Sequence, residues 1–173
     1  MLSPLVASFT SSLPKIAVDW TLTFTHPDIR LAAEYWNALK GQRNMPSRQE
    51  LKPLAMRRFL RLVNLVDVEP GSDVYKVSLQ SAHTIELFGP IAHRKFGELF
   101  PSDVAQRWRD CFTLARESRD PVRLLNEVGS EGSFWRLCEV FIAPLSQEIE
   151  GKRLASLYWV LVSWSRDAAI AAA

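Results

Sequence analysis

Residues 26–71 read HPDIRLAAEYWNALKGQRNMPSRQELKPLAMRRFLRLVNLVDVEPG, and no other stretch says as much about the fold. Pro27 suits the first position of a helix, where its missing N–H is not needed. Apolar residues at positions 32, 35, 36 and 39 then form one stripe along that helix. Gly41 suits the position just past its end. The first part of the stretch therefore predicts an amphipathic helix.

The second part of the stretch predicts a turn, a short helix and a strand. Ser47 and Glu50 have the spacing of a capping box, so a short turn is expected to begin there. A brief helix is expected from Pro53 through Phe59. Leu62 to Glu69 is expected to form a strand, which ends at the turn residues of Pro70–Asp73.

The rest of the chain predicts more strands and helices in a definite order. Asp103 and Gln106 have the spacing of a helix start, and an amphipathic stripe follows them to about residue 118. The other expected elements are a strand over Val74–Gln80, short helical turns over His83–Phe88 and Phe96–Phe100, and strands over Val122–Val128, Phe134–Leu145 and Leu154–Trp164. The last strand is apolar on both sides, which is typical of a central strand covered on both faces. The order predicts an α+β fold: a five-stranded antiparallel sheet with helical cover on one face and an N-terminal helical extension.

The N-terminal arm, residues 1–25, carries an alternating pattern of its own. Val18, Trp20, Leu22 and Phe24 alternate with polar residues, which predicts a half-buried strand within residues 15–25. Such an apolar ridge needs a surface to cover. Two alternatives remain open: the ridge packs on its own domain, or it packs on a partner subunit and forms a dimer contact.

Composition narrows the class of protein. The chain has 173 residues, 47% of them hydrophobic and 23% charged, which fits one folded domain and argues against global disorder. A net charge of +2 gives no argument for a nucleic-acid partner. The start of the chain lacks a basic signal-peptide region, and the run 154–162 is too short to span a bilayer. We therefore expect a cytoplasmic protein with no membrane partner.

Four landmarks of the sequence resemble one family of sensory modules. They are Tyr35-Trp36, the loop Gly41–Arg48, the proline-started segment Pro53–Leu60, and the turn Asp67–Gly71. Together they resemble the bacterial PAS-like domain family of single-domain regulatory proteins. The resemblance implies a PAS-like domain over residues 26–166, followed by a short tail over residues 167–173. It also implies a sensory or regulatory function.

The resemblance further implies a pocket between the sheet and the helices. The candidates to line it are Tyr75, His83, Phe88, Trp108, Phe112 and Trp159. The alternative for the aromatic residues is ordinary core packing, and the alternative for His83 is a surface or capping role. The family landmarks change near this pocket, at Ser81-Ala82 and at Pro90–His93, so the ligand of relatives need not be shared.

The known PAS cofactors are not expected here, although an unknown small ligand remains possible. Haem-binding PAS domains usually supply a histidine from the long helix, and Ser102–Ser118 contains none. Flavin photosensors carry their cysteine on a short helix before that one, whereas Cys111 lies on the long helix. Cys111 and Cys138 lack metal-ligand spacing, so no metal site is expected, and Cys111 is expected to be a buried, inert thiol.

Arginines cluster in the first half of the chain. Those singled out as interaction candidates are Arg43, Arg48, Arg57 and Arg58. They could bind phosphate, acidic lipid, nucleic acid or an acidic partner, or they could form a solvated face. No helix-turn-helix or RNA-binding signature accompanies them, so nucleic acid is not the expected partner.

No catalytic motif is present in the sequence: it has no Gly-x-Ser-x-Gly, His-Glu-x-x-His or phosphate loop. Glu127, Glu131 and Glu139 are expected to be solvated acids on a hairpin. We therefore expect no enzyme. The sequence favours a homodimeric regulatory module that acts in trans on a signalling protein. The alternatives are a small-molecule sensor that uses the pocket and, with less support, a small enzyme or a nucleic-acid-binding regulator.

Overall fold

The computed structural model describes residues 17–19, 21–69, 71–129, 135–149 and 152–165. The helices are α1 (Pro27–Lys40), α2 (Ala82–Phe88), α3 (Phe96–Leu99) and α4 (Ser102–Ser118), with 3₁₀ turns at Arg48–Glu50 and Leu60–Leu62. The strands are β1 (Ala17–Asp19), β2 (Val63–Val68), β3 (Tyr75–Leu79), β4 (Val122–Gly129), β5 (Trp135–Ile149) and β6 (Lys152–Ser165). None of these helices is long and apolar enough to cross a membrane.

All of these strands lie in one antiparallel sheet with the order β1-β4-β5-β6-β2-β3. Strands β2 to β6 are the five predicted from the sequence, and the α+β fold class is confirmed. The arm adds β1 at one edge, where Val18 lies opposite Leu124 of β4. Of the two alternatives for the arm, residues 17–19 follow the first and pair with their own domain.

The described core lies on both faces of the sheet. On the first face, α2, α3 and α4 cover β2, β3, the start of β4 and the middle of β5 and β6. On the second face, α1 and the segment before β2 cover Phe141, Tyr158 and Val160. The prediction of helical cover on one face therefore accounts for only one of two layers. The predicted N-terminal helical extension, now α1, supplies the second.

Helix α1 packs on the sheet through Ala32 and Trp36 of the predicted stripe and through Ile29, while Tyr35 and Leu39 are only partly buried. The indole Nε1 of Trp36 donates a hydrogen bond of 3.0 Å to the carbonyl oxygen of Pro144. Gly41 follows the helix with φ of 55°, a conformation that glycine adopts without steric cost. Both ends of this helix are therefore confirmed.

Three local predictions turn out differently. Residues 53–59 form successive turns and no helix, with Phe59 N–H donating to the Met56 carbonyl at 2.9 Å. Helix α4 begins at Ser102, after Pro101, so the expected cap at Asp103 is absent. The arm strand ends at Asp19, because the carboxylate of Asp19 accepts hydrogen bonds from the N–H and the hydroxyl of Thr21. The predicted capping box of Ser47 and Glu50 does form.

The outer edge of β3 is partly occupied by the chain itself. Val77 N–H donates to the Arg94 carbonyl at 3.2 Å, and His93 N–H donates to the Val77 carbonyl at 2.7 Å. Lys76 and Lys95 form an antiparallel bridge beside them. The segment 93–95 thus covers backbone groups that an edge strand would otherwise expose.

A buried ion pair ties the N-terminal part of the chain to the sheet. Glu139 of β5 is 0% exposed, and its carboxylate accepts a hydrogen bond of 2.7 Å from Arg123 Nε of β4. The same carboxylate accepts hydrogen bonds from the backbone N–H groups of Thr25, at 2.8 Å, and His26, at 2.7 Å. The expectation that Glu139 is a solvated acid is therefore wrong, because the start of α1 covers it.

Arg123 extends the same network to the arm. Its guanidinium donates to the Asp19 carboxylate at 2.9 Å and to the Thr25 hydroxyl at 3.2 Å. It also lies over the ring of Phe24, 5.9 Å from the ring centroid. One guanidinium and one carboxylate thus join β1, the start of α1, β4 and β5.

Replacing Glu139 tests this network. We expect Glu139→Ala to lower the free energy of unfolding by about 3–5 kcal/mol, because it leaves the buried Arg123 charge with Asp19 as its remaining ion-pair partner and removes the acceptor of the Thr25 and His26 N–H groups. The control is Glu148→Ala, an exposed glutamate on the same strand, for which we expect a change within about 0.5 kcal/mol. Urea unfolding followed by tryptophan fluorescence measures both. Equal effects of the two variants would contradict the anchoring role.

Candidate functional site

Four of the predicted pocket residues come together between the sheet and α2–α4. The ring of Phe112 stacks on Trp108 with centroids 5.8 Å apart and lies 5.2 Å from the ring of Tyr75. The ring of Phe88 contacts the ring of Phe100, with centroids 5.6 Å apart, and both belong to the same core cluster. The sequence analysis therefore identifies residues that do lie in one place.

A residue absent from the predicted set completes this cluster. Phe96 lies 4.9 Å from Phe112 and 6.3 Å from Trp108, centroid to centroid. Its position one residue before Gly97, on a helix of only four residues, gives no periodic signal that marks it as inward-facing. With Phe96 in place, the aromatic side chains contact one another, as in ordinary core packing.

The same cluster includes one buried hydroxyl. Tyr75 is buried, and its hydroxyl lies 2.6 Å from the Thr113 hydroxyl of α4. Burial raises the pKa of Tyr75, so its phenol stays protonated at physiological pH. The Tyr75–Thr113 hydrogen bond satisfies the polar end of the ring and fixes α4 against β3.

Two pocket candidates do not join the cluster. His83 lies on α2, and its Nδ1 is 3.5 Å from a carboxylate oxygen of Glu86 on the same helix. The His83 side chain is only 13% exposed, so it lies at the border of the core, and its role stays a prediction. Trp159 lies on β6 opposite Asn64 and Ile142, and its side chain is outside the described residues.

The two cysteines are buried, as expected for Cys111. Burial raises the pKa of the Cys111 thiol to about 12, so its reactive thiolate is scarce. Cys138 lies on β5 and is buried as well. Within the described ranges, no group of three His, Cys, Asp or Glu residues is placed to hold a metal ion.

Two of the four predicted interaction arginines, Arg43 and Arg48, bind side chains of the same domain. Arg48 pairs with the Asp67 carboxylate and donates hydrogen bonds to Ser78 at 3.1 Å and to Gln147 at 3.2 Å. Arg43 donates to the Glu50 carboxylate at 2.9 Å, and this bond lowers the pKa of Glu50. These two side chains hold the loop after α1 against the sheet.

The other two arginines face solvent on residues 52–61, which we name the basic segment. Arg57 and Arg58 are exposed, and their side chains make no ion pair or hydrogen bond within the described part of the chain. Leu54, on the same segment, is 79% exposed. Arg61 pairs with Glu86 of α2 at 3.4 Å. The sequence analysis did not predict the exposure of Leu54. It expected a helix over residues 53–59, and a helix has no residue at the tip of a turn.

The four predicted arm residues fall into two groups: two have described side chains, and two do not. Phe24 is buried against Phe141 with ring centroids 5.4 Å apart, and Leu22 packs on the same cluster. Trp20 and the side chain of Val18 lie outside the described residues. The part of the apolar ridge that the structure describes thus covers its own domain.

This geometry agrees with a comparison of sequences. A sequence model of the PAS domain matches residues 24–158 of the chain. The chain belongs to the PAS domain family. The resemblance inferred from Tyr35-Trp36 and the later landmarks is thereby confirmed. No curated protein matched the chain.

Membership in the PAS family indicates a sensory or regulatory module. In this PAS domain, the usual sheet carries α2–α4 on its first face, and the aromatic cluster occupies the space between them. Helix α1 and the basic segment lie on the second face or at its border. The candidate functional surfaces are therefore the aromatic interior and the exposed basic segment.

Truncating the centre of the aromatic cluster tests whether the interior is packed. Phe112→Ala is expected to lower the free energy of unfolding by about 3–5 kcal/mol, because it deletes a fully buried ring. Ile85→Ala, at a half-exposed site on α2, is the control and should cost less than about 1 kcal/mol. Chemical denaturation measures both. A small loss for Phe112→Ala would indicate an open cavity around the ring.

The thiols provide a separate test of burial. In the folded protein at pH 8, a pKa of about 12 leaves about one Cys111 thiol in ten thousand ionised. We expect neither cysteine to react with a disulfide reagent within minutes in buffer, and both to react in concentrated urea. Absorbance of the released thiolate measures the reaction. Rapid reaction of one thiol in buffer would show that its site opens readily.

Proposed function

We propose that this PAS domain is a regulatory module that acts in trans through protein–protein contact, with the basic segment as its contact surface. The observation that carries the proposal is the exposure of Leu54 beside Arg57 and Arg58. Leu54 would gain free energy by being buried on a partner, and the guanidiniums of Arg57 and Arg58 would form bidentate hydrogen bonds to it.

The charge of the basic segment indicates the chemistry of the partner. Lys52, Arg57 and Arg58 carry positive charge, and the Arg61 charge is already balanced by Glu86. A partner with carboxylates around an apolar depression would pair with the arginines and bury Leu54. Such charge complementarity also speeds association, an effect that falls as salt rises.

The packed interior supports contact with a protein over the binding of a ligand. For a small molecule to enter between the sheet and α2–α4, Phe96, Trp108 and Phe112 would have to separate from one another. A ligand sensor remains the second candidate from the sequence, and native mass spectrometry of the purified protein tests it. We propose no catalytic step for this domain.

The predicted homodimer stays a prediction, and light scattering of the intact protein tests it. The described arm changes how that test is designed. Because Asp19, Thr25 and His26 take part in the buried Arg123–Glu139 network, deleting residues 1–25 should destabilise the domain as well as alter any dimer. Substituting Trp20 alone is therefore the better variant.

Charge reversal on the basic segment tests the proposed function. We expect Arg58→Glu to reduce the capture of partners by crosslinking in the native cell at least fivefold, because it places a carboxylate against an acidic surface. Arg30→Glu is the matched control, since Arg30 is an exposed arginine on α1, away from the segment. It should leave the captured set unchanged.

The outcome depends on the difference between the two variants. Both are exposed, so their unfolding midpoints should equal that of the unmodified protein. If Arg58→Glu and Arg30→Glu capture the same partners in the same amounts, the basic segment is not the contact surface. Leu54→Ser removes the apolar side chain without adding charge, so it tests apolar burial separately, and we expect it to weaken capture as well.

A further inference from the structure

A cavity of about 710 Å³ lies at the edge of the sheet, away from the aromatic interior. Strand β4 begins at Val122 opposite Ile142, and past that point β5 borders the loop after α1, where Ser146 N–H donates to the Pro46 carbonyl oxygen at 3.0 Å. Residues 42–45 after α1, the end of α4, and Pro144–Ser146 of β5 line the cavity there. Its size falls within the roughly 300–1,000 Å³ typical of small-molecule sites.

The lining of this cavity carries positive charge. Arg43, Arg116 and Arg119 line it, and none of the described residues that line it carries a carboxylate. Arg43 is held by Glu50, and Arg116 donates to the Asp73 carboxylate at 2.7 Å. Arg119 makes no ion pair or hydrogen bond with any residue in the described ranges. Its guanidinium therefore keeps all five donors available for a bound group.

Arg119 owes its place to the way α4 ends. It follows Ser118 with φ of 58° and ψ of 18°, a left-handed conformation that turns the chain from α4 toward β4. The carbonyl end of a helix carries partial negative charge, which the guanidiniums of Arg116 and Arg119 offset. Since Arg116 is also paired with the carboxylates of Asp73 and Glu117, Arg119 carries the positive charge that no ion pair within the described residues balances.

A second observation comes from Ser156 of β6, which also lines the cavity. Ser156 is 0% exposed, and its hydroxyl oxygen has no hydrogen-bond partner within the described residues. A buried hydroxyl without a partner costs about 1–3 kcal/mol, so such groups are few in native proteins. Because this hydroxyl is inaccessible to water, a ligand would reach it only after the lining of the cavity shifted, so the arginines carry the proposal.

We propose that this cavity binds a small organic anion through a phosphate or carboxylate group. Arg119 makes the principal contact, because guanidinium binds either group through two parallel hydrogen bonds. Met45, Pro144 and Leu145 give the cavity an apolar part, which suits the carbon skeleton of the ligand. The site is separate from the basic segment, so the proposal does not depend on a protein partner there.

Titration calorimetry with three probes tests the proposal: inorganic phosphate, citrate and adenosine monophosphate, each up to 10 mM at fixed ionic strength. We expect at least one probe to bind with a dissociation constant below about 1 mM. Phosphate alone would show that the anion suffices, citrate would indicate carboxylate, and tighter binding of the nucleotide than of phosphate would indicate an aromatic skeleton. Each of these results supports the site.

Arg119→Gln keeps a polar side chain but removes the charge, and it should weaken binding at least fivefold. Arg30→Gln makes the same change at an exposed arginine outside the cavity and should alter affinity less than twofold. Absence of binding by all three probes would overturn the proposal. Equal affinities for the two variants would also overturn it, because they would mean that the anion binds by general surface charge.

Discussion

The described part of this PAS domain depends on one buried ion pair. A carboxylate with no exposure needs a partner charge and hydrogen bonds on its remaining lone pairs, since an unpaired buried charge is strongly destabilising. Glu139 obtains them from Arg123 and from two backbone N–H groups at the start of α1. The pair therefore fixes where the second layer begins. Without it, α1 would lose the polar contacts at its start and would be held on the sheet only by its buried stripe and the Trp36–Pro144 hydrogen bond.

Periodic patterns account for what the sequence could predict. Alternation of apolar residues gave five strands close to their observed bounds, and a stripe at helical spacing gave α1 with its Gly41 end. Both signals are local, because each depends on residues within one element. The same kind of signal identified Trp108 and Phe112 as inward-facing on α4, and the structure places them in one cluster.

What the sequence could not predict depends on contacts between distant residues. Glu139 meets Thr25 across 114 positions of the chain, and no pattern around either residue indicates the other. The sequence predicts a helix over residues 53–59 because Pro53 is a common helix start, but hydrogen bonds that mostly span three residues hold the segment as turns. The role proposed for Arg119 likewise depends on residues distant in sequence, because only folding brings the end of α4 near Pro144–Ser146 of β5.

The segment 93–95, which covers the edge of β3, limits how another protein could bind this domain. Segment 93–95 already takes the hydrogen bonds of Val77, so a peptide cannot extend the sheet at that point by main-chain pairing. Helix α1 likewise occupies the second face over Phe141 and Tyr158, where a flat partner surface would otherwise stack. A partner that contacts these two places would therefore meet side chains and not free main-chain groups. Exposed side chains on turns and helix ends are easily substituted during evolution. Related domains could therefore keep this fold and bind different partners.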